Sequence, residues 1–276
     1  MAVYIYYPGK RFPSLSVTGK FCALRCKHCM GHYLQHMIPV ETPEKLLEFV
    51  KKNKHRINGF LLSGGSTPEG KVPLKKFVDA IKWIKENTDL VVNIHTGIVD
   101  EEDIKYLKDM NPDHISFDVI GESSVIREVL GLNGEKEDYF RALELLDSSK
   151  IPYSPHIIIG LDYGKVYWEF ETVEFISQLK NFSNIVLLVL LPTPGTLMQD
   201  VIIDEKSAIE VLKFTSRVIS AHKIVLGCMR PRNLINLEKV AVDLGIKGIV
   251  MPSLKTIKYM EELEIKVERR EMCCVF

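Results

Sequence analysis

A chain of 276 residues with 36 basic and 36 acidic side chains can bury a full core, and its balanced charge does not single out nucleic acid or an anionic membrane as a partner. Its longest uninterrupted apolar run, 185–191, is far below the roughly 18 residues of a membrane-spanning helix, and no basic-apolar-small leader precedes the first strand-like segment. A soluble cytoplasmic protein with no nucleic-acid and no membrane partner is expected, and six cysteines, three of them clustered, fit metal binding in a reducing compartment better than a disulfide framework.

Taken in order, residues 3–7 are β-branched and aromatic, Pro8-Gly9 signals a turn, and 14–18 alternate polar and apolar side chains, so two short strands open the chain. Thr42-Pro43 supplies a hydroxyl N-cap and a proline at the first helical position, and Leu46, Leu47 and Val50 give that helix an apolar face. Residues 59–65 read as a buried strand ending in Gly64-Gly65, and Leu74, Phe77, Val78, Ile81 and Ile84 mark one face of the next helix. The alternation continues with strand 90–95, an acid-capped helix 100–110, strand 114–120, helix 138–149, strand 153–159, helix 167–179, strand 185–191, helix 204–220 and strand 224–228. A last stripe of Leu237, Val240, Ala241 and Leu244 is closed by Gly245 ahead of strand 246–251. From residue 14 this makes eight strands alternating with helices, which requires parallel pairing through crossovers and predicts an α/β fold of the (βα)8 TIM-barrel kind. No linker divides it. Residues 1–254 are therefore read as one barrel domain and 255–276 as a C-terminal extension, whose charged run 258–271 has the character of a solvated face or a frayed tail.

Cys22, Cys26 and Cys29 follow the second strand at the spacing C-x3-C-x2-C. Three thiolates on one loop can hold three corners of a 4Fe–4S cluster and leave one iron without a protein ligand. Structural zinc would want a closing pair of ligands at similar spacing, which is missing, and Arg25, Lys27 and His28 are poor core material. In a parallel barrel the functional groups gather at the C-terminal strand ends. Those ends carry 63–67, His95-Thr96-Gly97, Ser116 and Asp118, 192–196, and Cys228-Met229-Arg230-Pro231-Arg232. Alternation puts Ser116 and Asp118 on one face, and a carboxylate buried there needs a partner. The glycine pair has a plainer explanation as a tight turn needing glycine dihedrals, and His95 is as readily a hydrogen-bonded structural residue as a functional one. Cys273 and Cys274 would have to fold back over the active face to reach Cys228; separate free thiols are the alternative, since cysteine buries readily as a small hydrophobe. Arg230 or Arg232 is a candidate for a further ligand or an anion site.

The cysteine spacing resembles that of the radical S-adenosylmethionine (radical SAM) superfamily. With 12–19, His95-Thr96-Gly97, 116–121, 155–160 and 192–196 it looks like the biotin-synthase-like branch, and is most similar to the archaeal-type two-protein lipoyl synthases. That resemblance implies a TIM barrel of the radical SAM type, with Cys22, Cys26 and Cys29 holding a 4Fe–4S cluster whose open iron is chelated by S-adenosylmethionine. One-electron cleavage of that cofactor to a 5'-deoxyadenosyl radical, which takes hydrogen from an unactivated carbon, is implied with it. The resemblance also implies cofactor contacts from His28, from Ser63, Gly64, Gly65 and Ser66, where Ser66 replaces the acid of the family's Gly-Gly-Glu motif, from His95, from Ser116 and Asp118 toward ribose hydroxyls or the methionyl group, and from His156 and Ile159 beside the adenine. Cys228, Cys273 and Cys274 would hold an auxiliary iron–sulfur cluster consumed as the sulfur source. The substrate would be an octanoyl chain on a lipoyl-carrier protein or an octanoyl-lysyl peptide, with a sister radical SAM protein and a low-potential electron donor such as ferredoxin as partners. Two other readings stay open on these residues: a single-cluster radical SAM enzyme performing rearrangement, isomerisation or cleavage, and a non-catalytic iron–sulfur carrier or partner subunit.

Overall fold

The computed structural model describes residues 2–276. Its strands are β1 (Val3–Tyr6), β2 (Ser14–Ser16), β3 (Ile38–Pro39), β4 (Gly59–Ser63), β5 (Val91–His95), β6 (His114–Asp118), β7 (Tyr153–Ile159), β8 (Ile185–Val189), β9 (Ile224–Leu226), β10 (Gly248–Val250) and β11 (Val267–Arg270). The helices are α1 (Pro43–Asn53), α2 (Val78–Asn87), α3 (Glu101–Met110), a single turn α4 (Ser123–Val125) that runs on into a wider turn over Ile126–Leu130, α5 (Lys136–Ser149), α6 (Trp168–Ser177), α7 (Glu205–Val218), α8 (Ile235–Asp243) and α9 (Leu254–Glu262). Local chemistry accounts for their starts. Thr42 Oγ1 accepts from Lys45 N ahead of Pro43 in α1, and Asp100 and Asp103 form a reciprocal capping box on α3. No helix among the described residues is long and apolar enough to cross a membrane.

Every strand pairing is parallel, in the order β11-β1-β10-β9-β8-β7-β6-β5-β4-β2-β3. Buried parallel strands need apolar side chains on both faces, and β8, Ile185 to Val189, is buried throughout. The run from β2 to β10, β3 apart, follows the predicted alternation. What differs is the closure. β10 does not meet β2, because β1 takes the place beside β10, with Ile5 opposite Ile249, and β11 pairs with β1, Val3 opposite Val267. The result is one curled parallel sheet of eleven strands in place of a closed eight-stranded barrel. Its two margins are bridged by side chains: Arg11 bonds Asn58 Oδ1, and Asn58 Nδ2 donates to the Glu271 carbonyl.

The charged run past residue 254 is ordered as α9 and β11, the latter a largely exposed edge strand. The tail beyond it takes a course the sequence reading did not foresee. It enters the hollow of the sheet from the N-terminal ends of the strands, opposite to the βα loops. Val275 O accepts from Asn184 Nδ2, and the Phe276 ring meets Phe12 and His114. Cys274 and Val275 pack inside against Tyr6, Val186, Leu188, Val225 and Val250.

Candidate active site

Inside the curl lies a cavity of about 520 Å³, lined at the C-terminal strand ends by the loops after β2, β4, β5, β8 and β9 and lower down by β4 to β8. Cys22, Cys26 and Cys29 all line it as free, half-buried thiols. The loop that carries them turns through positive φ at Arg25, Met30 and Gly31. Cys26 donates its proton to Cys29, which pushes the Cys26 thiol up and brings Cys29 down to about 4, with the His28 ring assisting the second shift. The ligand atoms of Cys26, His28 and Cys29 lie within 4.8 Å of one another. Cys22 stands outside that group and accepts instead from Ser66 N at 3.3 Å.

The β4 turn is built onto this loop. Ala23 N donates to Ser66 O at 2.9 Å, while Thr18 Oγ1 accepts from Gly65 N at 2.7 Å and donates to Phe21 O at 2.8 Å. A Cβ on Gly65 would lie 2.0 Å from Phe21 O and 2.6 Å from Cys22 Cα. Neither Gly64 nor Gly65 has a positive φ, so the glycine at 65 serves close approach to the cysteine loop, and turn dihedrals do not explain it.

Ser63, Gly64, Gly65, Ser66, His95, Ser116, Asp118 and His156 all reach the cavity, and so does His28. Asp118 finds its partner in His95, with Nε2 3.2 Å from Oδ2. Burial alone would raise Asp118, but the charge and hydrogen bond of His95 outweigh it and hold the carboxyl at about 2. Burial likewise opposes charge on His95, and Asp118 overcomes it to raise the imidazole. His156 goes the other way: burial, seconded by His95, lowers it to about 4, and its Nδ1 donates to Ser154 O at 3.1 Å. Beside the Asp118–His95 pair the cavity therefore presents His156 as a neutral ring at neutral pH.

Ile159 falls elsewhere. It is fully buried in the core cluster and does not line the cavity; Ile158, one residue earlier and on the same face as His156, does. Arg230 is likewise unavailable as a ligand, being wholly buried and spent on Glu238 at 2.5 Å and on the carbonyls of Gly227 and Val250. Arg232 bonds the carbonyls of Met251 and Cys228.

Cys228, Cys273 and Cys274 line the same cavity, the last two rising from below on the inserted tail. Cys228 opens onto the cavity but is walled by protein, and that desolvation raises its thiol. Cys274 donates to Cys273, bringing Cys273 to about 7 against the effect of burial, and is itself raised. Asn93 was missed from the sequence. It is 1% exposed, and its Nδ2 donates both to Cys273 Sγ at 3.4 Å and to Ser116 Oγ at 2.9 Å. Its signal was there: an amide two residues before His95 on an otherwise apolar strand shares the inward face.

The first thiol set fits an iron–sulfur cluster, since the donors are soft, free and gathered on one loop, and the bare backbone at Gly65 leaves that loop seated against the β4 turn. Comparison with known proteins agrees. Three solved structures share the fold: HydG, a maturase of the FeFe-hydrogenase (TM-score 0.64, 16% identity, covering 90% of this chain and 57% of HydG); the methylornithine synthase PylB (0.63, 13%, 97% and 84%); and Streptococcus suis SuiB bound to S-adenosylmethionine (0.61, 12%, 82% and 52%). This chain thus spans little more than half the length of the first of them. No curated protein matches the sequence. A family model, the radical SAM superfamily, matches residues 16–175, more than half of the chain, from the end of β2 through most of α6. By that match, and by the three thiols it encloses, the chain belongs to the radical SAM superfamily.

Proposed function

We propose that this radical SAM enzyme inserts sulfur, drawn from a second iron–sulfur cluster, into an unactivated C–H bond of an octanoyl chain carried on a lysine of a carrier protein. The observation that supports this reading is the lining of one cavity of about 520 Å³ by two sets of three free cysteines, one on the β2 loop and one formed by Cys228 with the inserted tail. A cavity of that size is in the range that accepts a cofactor-sized ligand.

When bound, a 4Fe–4S cluster with S-adenosylmethionine supplies the electron that splits the sulfonium and so the power to remove hydrogen from carbon. The chain's own residues do the rest. Cys22, Cys26 and Cys29 hold the first cluster, and Ser63 to Ser66 present backbone and hydroxyl groups beside it. Asp118, kept ionised by His95, accepts from hydroxyl donors of the cofactor. Leu61, Val72, Ile98, Ile158, Val186 and Leu188 give the cavity apolar walls that suit an alkyl chain and exclude water from a reactive carbon. Cys228, Cys273 and Cys274 hold the sulfur source in the same enclosure, with Asn93 donating to Cys273. A sister radical SAM protein and a ferredoxin-like donor complete the proposed system.

Anaerobic reconstitution followed by reaction with an octanoyl-lysyl peptide and S-adenosylmethionine tests the reading. About eight irons per chain are expected, with sulfur added to the peptide by mass; Cys228→Ala and Cys273→Ala should each abolish sulfur addition while 5'-deoxyadenosine still forms. A second reading, a single-cluster enzyme, is favoured by one observation, the packing of Cys274 among Tyr6, Val186 and Leu188 as an apolar side chain would. About four irons per chain, unchanged by Cys273→Ala, would decide for it.

A further inference from the structure

We infer that the ring of His28 donates a hydrogen bond to a sulfur of the cluster held by Cys22, Cys26 and Cys29 and thereby raises its reduction potential. The inference rests on those three cysteines being the cluster ligands. His28 Nδ1 is buried and has no hydrogen-bond partner among the described residues, a state it shares there only with Trp168 Nε1. Buried polar atoms in native folds are nearly always partnered, and His28 lines the cavity beside the cysteines, so its orphaned nitrogen marks the place of an absent partner.

The neighbours say what that partner is. A ring nitrogen of His28 lies within 4.8 Å of both the Cys26 and Cys29 sulfurs. Once both thiols have given their protons up to bind iron, they are acceptors only, and the His28 ring beside them, whose Nδ1 meets no other group among the described residues, is the donor at hand. Cys22 already has its donor in Ser66 N–H at 3.3 Å. The neutral ring carries one N–H, so no protonation of His28 is required. A donor aimed at sulfur stabilises the reduced cluster, which bears one more negative charge, more than the oxidised one, and hydrogen bonds to sulfur are among the features that set such potentials.

Direct ligation of iron by His28 is the rival arrangement, and the experiment separates the two. The full-length protein and its His28→Gln and His28→Phe variants are reconstituted anaerobically, iron and sulfide are counted, and the midpoint potential is read by redox titration of the paramagnetic signal that changes shape on adding S-adenosylmethionine. His28→Phe should lower the equilibrium constant for reduction about tenfold, a negative shift of about 59 mV for a one-electron couple, at unchanged iron content. His28→Gln, which retains an N–H, should recover at least half of it. Loss of the cluster in Phe with retention in Gln would give the same assignment through loading. Equal potentials in all three fully loaded proteins would overturn it, as would loss of the cluster in both variants or hyperfine coupling to a ligating nitrogen in the native protein. A native protein that loads no cluster through Cys22, Cys26 and Cys29 would refute the underlying ligand assignment, a result recognisable from the iron count alone.

Discussion

Replacing Gly65 by alanine adds a single methyl group at the seam between the β4 turn and the cysteine loop. Built on the present backbone, that carbon lies 2.0 Å from Phe21 O, 2.6 Å from Cys22 Cα and 2.7 Å from Cys22 Cβ. Two of those three atoms are backbone, so no side-chain rotation relieves the clash, and the Phe21 carbonyl must retreat by at least 1 Å to reach even 3.0 Å. The loop is pinned against such a retreat by Ala23 N to Ser66 O, by Ser66 N to Cys22 Sγ and by the Thr18 hydroxyl, which bonds both sides of the seam. Overpacking of this kind costs about 1–3 kcal/mol, which for a chain of this size lowers Tm by about 2–4 °C per kcal/mol. The larger effect is expected on cluster assembly, because Cys22 moves while Cys26 and Cys29, on the far side of the loop, need not. Gly65→Ala should therefore remain folded by circular dichroism yet bind less than half the iron of the native protein after anaerobic reconstitution. An unchanged melting point together with full iron content would show that the seam is not as tight as drawn and would falsify the argument.

Other outcomes follow from the same geometry. Burial drives His114 down to about 3, so the folded state refuses a proton that the unfolded chain, near 6.5, accepts; stability should fall as pH drops below 6.5, by about 1.4 kcal/mol per unit and about 2 kcal/mol by pH 5. In urea unfolding at pH 7 and pH 5, His114→Gln should narrow the gap between the two conditions by about that amount, and an equal gap in both proteins would contradict the assignment. Glu238→Gln leaves the wholly buried Arg230 guanidinium without its counter-charge and should cost about 3–5 kcal/mol, whereas Arg230→Met with Glu238→Met should restore much of it; strictly additive losses in denaturant titrations would rule that out. Ile159→Ala should cost about 2–5 kcal/mol as a core truncation, and Ile158→Ala, which enlarges an existing cavity, clearly less; the reverse ranking would mean that the two faces of β7 have been exchanged.

Much of the fold was legible because parallel strands buried on both faces leave continuous apolar runs, as in Ile185 to Val189, and because the caps at Thr42 and Asp100 announce their helices. The alternation rule correctly set Ser116 beside Asp118. The same rule, applied from His156, selects Ile158 over Ile159; the choice of Ile159 followed the motif and ignored the period of two. What could not be read was anything held by backbone alone. Val267 to Arg270 carries no apolar stripe and is mostly exposed, so only its pairing with β1 makes it a strand. The insertion of the tail from the far end of the sheet was hidden for a related reason: Asn184, Phe12 and His114, which receive it, are scattered over 170 positions of the chain and share no local pattern.

The place of β1 between β10 and β11 has a bearing on how the molecule is born. β1 has both its neighbours more than 240 residues downstream, and until they are made Val3, Ile5 and Tyr6 offer a bare apolar ribbon with open hydrogen-bonding groups. Closing so long a loop is slow, and a waiting edge invites wrong pairings. The same late step brings Cys273 and Cys274 inward, so iron delivered during synthesis would meet one trio of sulfurs well before the other.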